Sequence, residues 1–110
     1  MPPALHAFQP QFLVSQQGCD SHYADPLAHL SLSLEGQQMS RRALHRLAHT
    51  YSEGRWIATG GGGYEWVDVV PLAWTHLLAE ALDRPIDPTE PTPEAFQSLV
   101  KNVLQRDPPM

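Results

Sequence analysis

Disulfide cross-linking has no place in this chain, because Cys19 is the one cysteine among its 110 residues and no internal pair can form. Positive charge is also scarce. Seven lysines and arginines stand against twelve aspartates and glutamates, for a formal net charge of -5. Apart from the adjacent Arg41 and Arg42 the basic residues are dispersed, so a phosphate backbone would meet no continuous cationic face, which argues against a nucleic-acid partner. No apolar run approaches the roughly 18 residues of a membrane-spanning helix. The first residues carry neither the basic segment nor the apolar core of a secretory signal, so the expectation is a cytoplasmic chain with no membrane partner. Proline and glycine are plentiful instead: eleven and seven residues, a large share committed to turns and tails. With 42% hydrophobic and 17% charged residues, the composition still suits one globular domain, the most that this length supports.

Along the chain, Pro2, Pro3 and Pro10 make the opening a loop or a short helical turn. Gln11–Gln16 has the brevity and the β-branched and aromatic content of a buried strand, ended by Gly18. The polar, turn-rich segment from Gly18 to Pro26 reads as a loop, a common address for function. Leu30, Leu32 and Leu34 alternate with other residues, which predicts a short extended piece with one buried face, stopping at Gly36. Met39, Ala43, Leu44, Leu47, Ala48 and Tyr51 then gather on one stripe of a helix, with Arg41, Arg42, Arg46 and His49 facing out. Arg55–Thr59 reads as a second short strand running into four consecutive glycines, Gly60–Gly63, taken as a permissive backbone.

Asp68 is the expected cap of the next helix, with Pro71 in its first turn and Val70, Ala73, Trp74, Leu77, Leu78 and Ala81 as its apolar stripe. After an acidic, proline-rich connection, Thr92 and Pro93 resemble the cap and first position of a last helix running to about Leu104. Strand, helix, strand implies a right-handed parallel crossover, and parallel strands need cover on both faces. Two strands make a thin sheet. The expected class is therefore α/β, as part of a larger parallel sheet whose other members are not in this chain and whose edge is open here.

Two blocks carry a specific resemblance. Leu13–Leu27, read as LVSQQGCDSHYADPL, is similar to the strand and loop that present the second zinc aspartate in the histone deacetylase family, its acetoin-utilisation members included. Gly60-Gly61-Gly62-Gly63-Tyr64, followed by Trp74-Thr75, resembles that family's glycine-rich loop and catalytic tyrosine. The resemblance implies a partial three-layer sandwich, the C-terminal part of the arginase/deacetylase-like fold. It divides the chain into an entry segment 1–10, the C-terminal part of a catalytic domain 11–88, and a helix and tail 89–110. It further implies that Asp20 is a zinc ligand and that Tyr64 donates to the oxyanion formed at an acyl carbonyl. Leu27 and Gly63 would line a narrow acyl channel, and the substrate would be acetyl-lysine or a related small acyl-amine.

Read from the residues alone, each position keeps a plainer alternative. Asp20 suits a turn in which its carboxylate bonds its own backbone, Tyr64 an aromatic rim after a turn, and Leu27 simple core. Four glycines before a helix could cradle a phosphate, but no Lys-Ser/Thr follows and the spaced dinucleotide pattern is missing. His45 and His49, four apart, could bind a metal; without the glutamate of a His-Glu-x-x-His hydrolase, a solvated helix face is the simpler reading. Cys19 has no evident base partner and suits a buried structural thiol, and His22, His29 and His76 suit loop or core positions.

The family's paired histidines and its Asp-x-His motif are expected upstream of the matched region; no two histidines are adjacent in this sequence, and Asp20-Ser21-His22, which has the Asp-x-His form, falls in the loop matched to the other zinc aspartate. The resemblance therefore predicts zinc in a complete enzyme but not in this chain alone, with no hydrolysis by this chain alone. A non-catalytic module is the alternative, docking its open sheet edge onto a partner such as the missing N-terminal portion.

Overall fold

A computed structural model of the chain describes residues 2–105, 107 and 108. The elements run α1 (Pro2–Phe8), β1 (Leu13–Gln16), α2 (Leu34–Ser52), β2 (Trp56–Thr59), α3 (Val70–Ala81) and α4 (Glu94–Val103). The two strands pair in parallel, Leu13 opposite Trp56 and Gln16 opposite Thr59, with α2 as the connection between them. The fold is thus partial α/β, a two-stranded parallel sheet among helices. Side chains alternate along β1: Leu13 and Ser15 are half-buried, and Val14 and Gln16 are exposed. Ser15 Oγ accepts from Trp56 Nε1 at 2.8 Å, so even the covered side of this small sheet is partly polar.

Helix α2 begins earlier than the apolar stripe predicts. Ser33 caps it, its hydroxyl accepting from Gly36 N at 3.1 Å, so Leu34 and Gly36 are helical rather than extended. Of the expected leucine alternation only Leu32 is paired, in an isolated bridge to His22, and Leu30 and Leu32 are exposed. The faces of α2 also differ from expectation: Arg41 is buried and Met39 is 71% exposed. The first half of the helix packs on loop backbone rather than on an apolar layer. There Gln37 Nε2 donates to Cys19 O at 3.1 Å and Gln38 Nε2 to Ile86 O at 3.1 Å. Polar side chains satisfy those carbonyls, as buried polar groups require.

Asp68 is not the cap of α3. Val69 holds that position without a side-chain cap, and Glu65 serves the helix start instead, its backbone O accepting from Val69 N and Val70 N at 3.2 and 3.1 Å. The Glu65 carboxylate meanwhile accepts from Val67 N and Asp68 N. Along α3, Ala73 is buried as expected, but so are His76 and Glu80, while Leu78 is exposed. Helix α4 starts one residue late, with Pro93 as its cap residue. The apolar core is small: Cys19, Val69 and Ala73, with Leu34, Val70 and Trp74 packed around them. Cys19, the neighbour of Asp20 in the chain, belongs to it. Among the described residues, no helix is long and apolar enough to cross a membrane.

Candidate functional site

The two motif loops leave the carboxyl ends of neighbouring parallel strands, the edge at which open α/β sheets bind ligands. Pairing continues past the strands: Gln17 N donates to Thr59 O at 2.8 Å and Cys19 N to Gly62 O at 2.7 Å. None of Gly60–Gly63 has a positive φ, so the run is needed for space rather than for backbone freedom. A Cβ on Gly61 would lie 2.8 Å from Gly18 N and run into the Gln16 side chain. One on Gly62 would strike the Asp20 carboxylate, and one on Gly63 would come within 2.7 Å of Cys19 Sγ. Trp74 Nε1 donates to Gln17 O at 2.9 Å and its ring lies beneath Gly60, tying α3 to both loops.

Asp20 is half-buried, with its carboxylate against Gly62, two residues before Tyr64. Tyr64 is 49% exposed, and its backbone is fixed by Asp25, whose Oδ2 accepts from Tyr64 N at 2.9 Å. Asp25 Oδ1 accepts from Leu27 N at 2.9 Å and Ala28 N at 3.2 Å, so one buried carboxylate closes its own turn and clamps the tyrosine loop. Burial pushes the Asp25 carboxyl up, but the N–H groups of Leu27, Tyr64, Ala28 and Glu65 outweigh it and hold it below its ordinary value. Leu27 is 62% exposed, which removes the simple-core alternative for it. Gly63 is half-buried between Cys19 and Val70.

Burial pushes the Cys19 thiol up, which disfavours the thiolate and agrees with a structural cysteine. Burial likewise pushes His22 down; its Nδ1 accepts from Ala24 N at 3.1 Å and its ring stacks on Tyr23. Among the described residues no three His, Cys, Asp or Glu side chains are placed to hold a metal ion together. A catalytic zinc takes about three protein ligands and an open position. The groups around Asp20 therefore do not fit a catalytic zinc ion by themselves, although Asp20 stands where a single carboxylate ligand could be offered.

The structure thus brings Asp20, Gly63 and Tyr64 onto two stitched loops, with Leu27 on the outer turn of the first. Sequence reading missed Asp25 and Gln37, the two side chains that hold this arrangement. For Asp25 a local signal was present: an aspartate before proline, facing free N–H groups two and three residues on, is an Asx-turn pattern. For Gln37, whose Nε2 also donates to Ser21 Oγ at 3.0 Å, the partner is 16 residues away and leaves no local mark.

Residues 1–81 match the histone deacetylase domain. The chain is 45% identical over 86 residues to the acetoin utilization protein AcuC of Bacillus subtilis (strain 168), covering 78% of this chain and 22% of that protein. It is 42% identical over 95 residues to AcuC of Staphylococcus xylosus (86% and 24%), and 40% identical over 84 residues to AcuC of Staphylococcus aureus (strain MRSA252) (76% and 22%). The chain thus spans roughly a quarter or less of the length of these relatives.

Proposed function

Because the chain belongs to the histone deacetylase family, we propose that it forms the C-terminal part of a zinc-dependent deacetylase site acting on acetyl-lysine or a related acyl-amine. The observation that carries this reading is the packing of the Asp20 carboxylate on Gly62, in the loop that leads to Tyr64 at the carboxyl edge of the sheet. In this reading the Tyr64 hydroxyl donates a hydrogen bond to the oxyanion that develops at the acyl carbonyl. Asp20 is the one carboxylate this chain contributes to the zinc. Leu27 and Gly63 form walls of the acyl channel, and Asp25 fixes the backbone from which Tyr64 projects. The other ligands and the general base come from outside these 110 residues, so the chain alone is inactive.

The test is a chimera in which residues 11–88 replace the matched segment of the Bacillus subtilis relative. The expected product binds one zinc and hydrolyses acetyl-lysine peptides. Tyr64→Phe then lowers kcat by about 10²–10³-fold with little change in KM, the cost of losing one oxyanion donor. Asp20→Ala lowers both zinc content and activity. Full activity in both variants would overturn the assignment.

One observation favours a second reading, a non-catalytic module that docks through its sheet. Val14 and Ile57 are 62% and 48% exposed on the strands. This reading predicts that the isolated chain binds the relative's N-terminal portion without restoring hydrolysis.

A further inference from the structure

Helices α2 and α3 meet at a second cluster of chemically capable side chains. His45 and His49 lie one turn apart on α2, with their Nε2 atoms 3.2 Å from each other. On the other side of the first ring, His45 Nδ1 is 3.2 Å from Glu80 Oε1 of α3. Glu80 is buried, with a side chain 7% exposed, and its Oε2 has no hydrogen-bond partner; Arg42 Nε lies 3.9 Å from that oxygen.

This arrangement sets the state of the first ring. A carboxylate only accepts, so the His45 proton resides on Nδ1 and its Nε2 presents a bare lone pair. A carboxylate behind an imidazole that turns its other nitrogen outward is the usual support for a metal-bound histidine. Packing fixes both rings. His45 stacks on Trp56 with centroids 5.5 Å apart, and the Trp56 indole is anchored on Ser15. His49 lies against Gly54, where an added Cβ would come within 2.9 Å of the ring. That glycine has φ 78, so both its conformation and the space it leaves favour a residue without a side chain.

We propose that His45 and His49 form a two-imidazole site for a divalent transition-metal ion of the zinc, nickel and copper class. The nitrogen spacing suits it. Nitrogens about 2.0–2.1 Å from a zinc ion are separated by about 3.3–3.4 Å at a tetrahedral angle and about 2.8–3.0 Å at a right angle, which brackets the value here. The His45–His49 contact in the free chain is an N–H···N hydrogen bond, and the ion replaces its proton, with His49 shifting to the Nδ1–H tautomer. No third protein ligand converges among the described residues, so water completes the coordination from the open cleft, about 800 Å³, into which the pair faces. Arg42 and Arg46 line that cleft and oppose a cation, while Glu80 and Asp83 favour it, which makes the affinity modest. Imidazole ligands select against magnesium and calcium.

The experiment is titration of the full chain, purified without a histidine tag, with Ni²⁺ and Zn²⁺ by calorimetry, and with Cu²⁺ by electron paramagnetic resonance. One saturable ion is expected, with two imidazole nitrogens on copper and no response to Mg²⁺. His49→Gln, at an exposed position, should leave the far-ultraviolet circular dichroism unchanged, reduce the copper signal to one imidazole and weaken binding by about tenfold or more. Glu80→Gln should weaken it by about 10–100-fold through the lost support of His45. Asp20→Ala should change nothing, which separates this site from the deacetylase reading. Where the isolated chain is unfolded, the His49 and Glu80 variants are measured in the zinc-loaded chimera, whose exchanged segment contains both helices, as the ion bound in addition to the one that Asp20 helps to hold. Absence of saturable binding, or binding that His49→Gln leaves intact, overturns the proposal.

Discussion

Asp20 and Asp25 share one loop, yet their surroundings differ, and the difference lies in what each carboxylate touches. Asp25 is buried and surrounded by backbone donors, so its lone pairs are spent on structure. Asp20 lies half-buried against a glycine, at the open end of the sheet. Family resemblance nominated Asp20; the clamp made by Asp25 was not read, because half of it depends on Tyr64, 39 residues away. Its consequence is a pH dependence whose sign is fixed. The folded-state pKa of Asp25 lies below that of an unfolded aspartate, about 3.9, so its stabilisation is complete above that value and is lost as pH falls through the lower folded one. Asp25→Asn turns an amide toward N–H groups and should lower the unfolding temperature at pH 7. It should also flatten the decline below about pH 4, and speed hydrogen exchange at Tyr64 N. Asp87 is likewise held down, by Thr89, and continues to titrate in the variant, so the difference between the two profiles isolates Asp25. An unchanged profile would remove Asp25 as the clamp.

Among the elements, α2 shows most clearly what periodicity reveals and what it hides. Its existence was legible from the apolar stripe, and Ala48 is buried as that stripe requires. Its start and its first buried face were not, since Gln37, Gln38 and Arg41 are buried, and the two glutamines donate to loop carbonyls rather than face an apolar layer. Polar residues facing polar backbone carry no hydrophobic period. The same holds at α3, where His76 and Glu80 are buried and Leu78 is not. The start of α2 turns on Ser33, whose hydroxyl bond to Gly36 N satisfies an otherwise orphaned donor. Ser33→Ala should therefore cost about 1 kcal/mol, seen as a fall in unfolding temperature of roughly 4–8 °C for a domain of this size. Ser33→Asp should restore most of it, and equal losses in both variants would place the contribution of Ser33 elsewhere.

Taken whole, the molecule is thin, with extents of 51 × 29 × 19 Å, and its sheet has two strands. A parallel sheet is stable when both faces are covered, but here Val14 and Ile57 remain exposed on neighbouring strands, paired directly with each other. The partial sheet was legible from two short apolar runs around a helix. What occupies its open side was not, because that information lies in residues these strands do not contain. Burying a valine or isoleucine side chain fully is worth about 1.5–3 kcal/mol, so each is a strong incentive for contact with whatever apolar surface is available. Unpaired strand edges add free hydrogen-bonding groups in the plane of the sheet. The isolated chain should therefore bind an apolar dye such as anilinonaphthalene sulfonate and associate with rising concentration in sedimentation experiments. Val14→Lys with Ile57→Lys should suppress both, because two charges would then face each other across the strand pair. In the chimera the same double change should instead destabilise the domain, since the rest of the sheet and its covering layer would have to bury those charges. A double variant that lowers dye binding but leaves the chimera as stable as before would mean that this face is free in the whole protein. The open side would then be a surface of the finished domain rather than a seam within it.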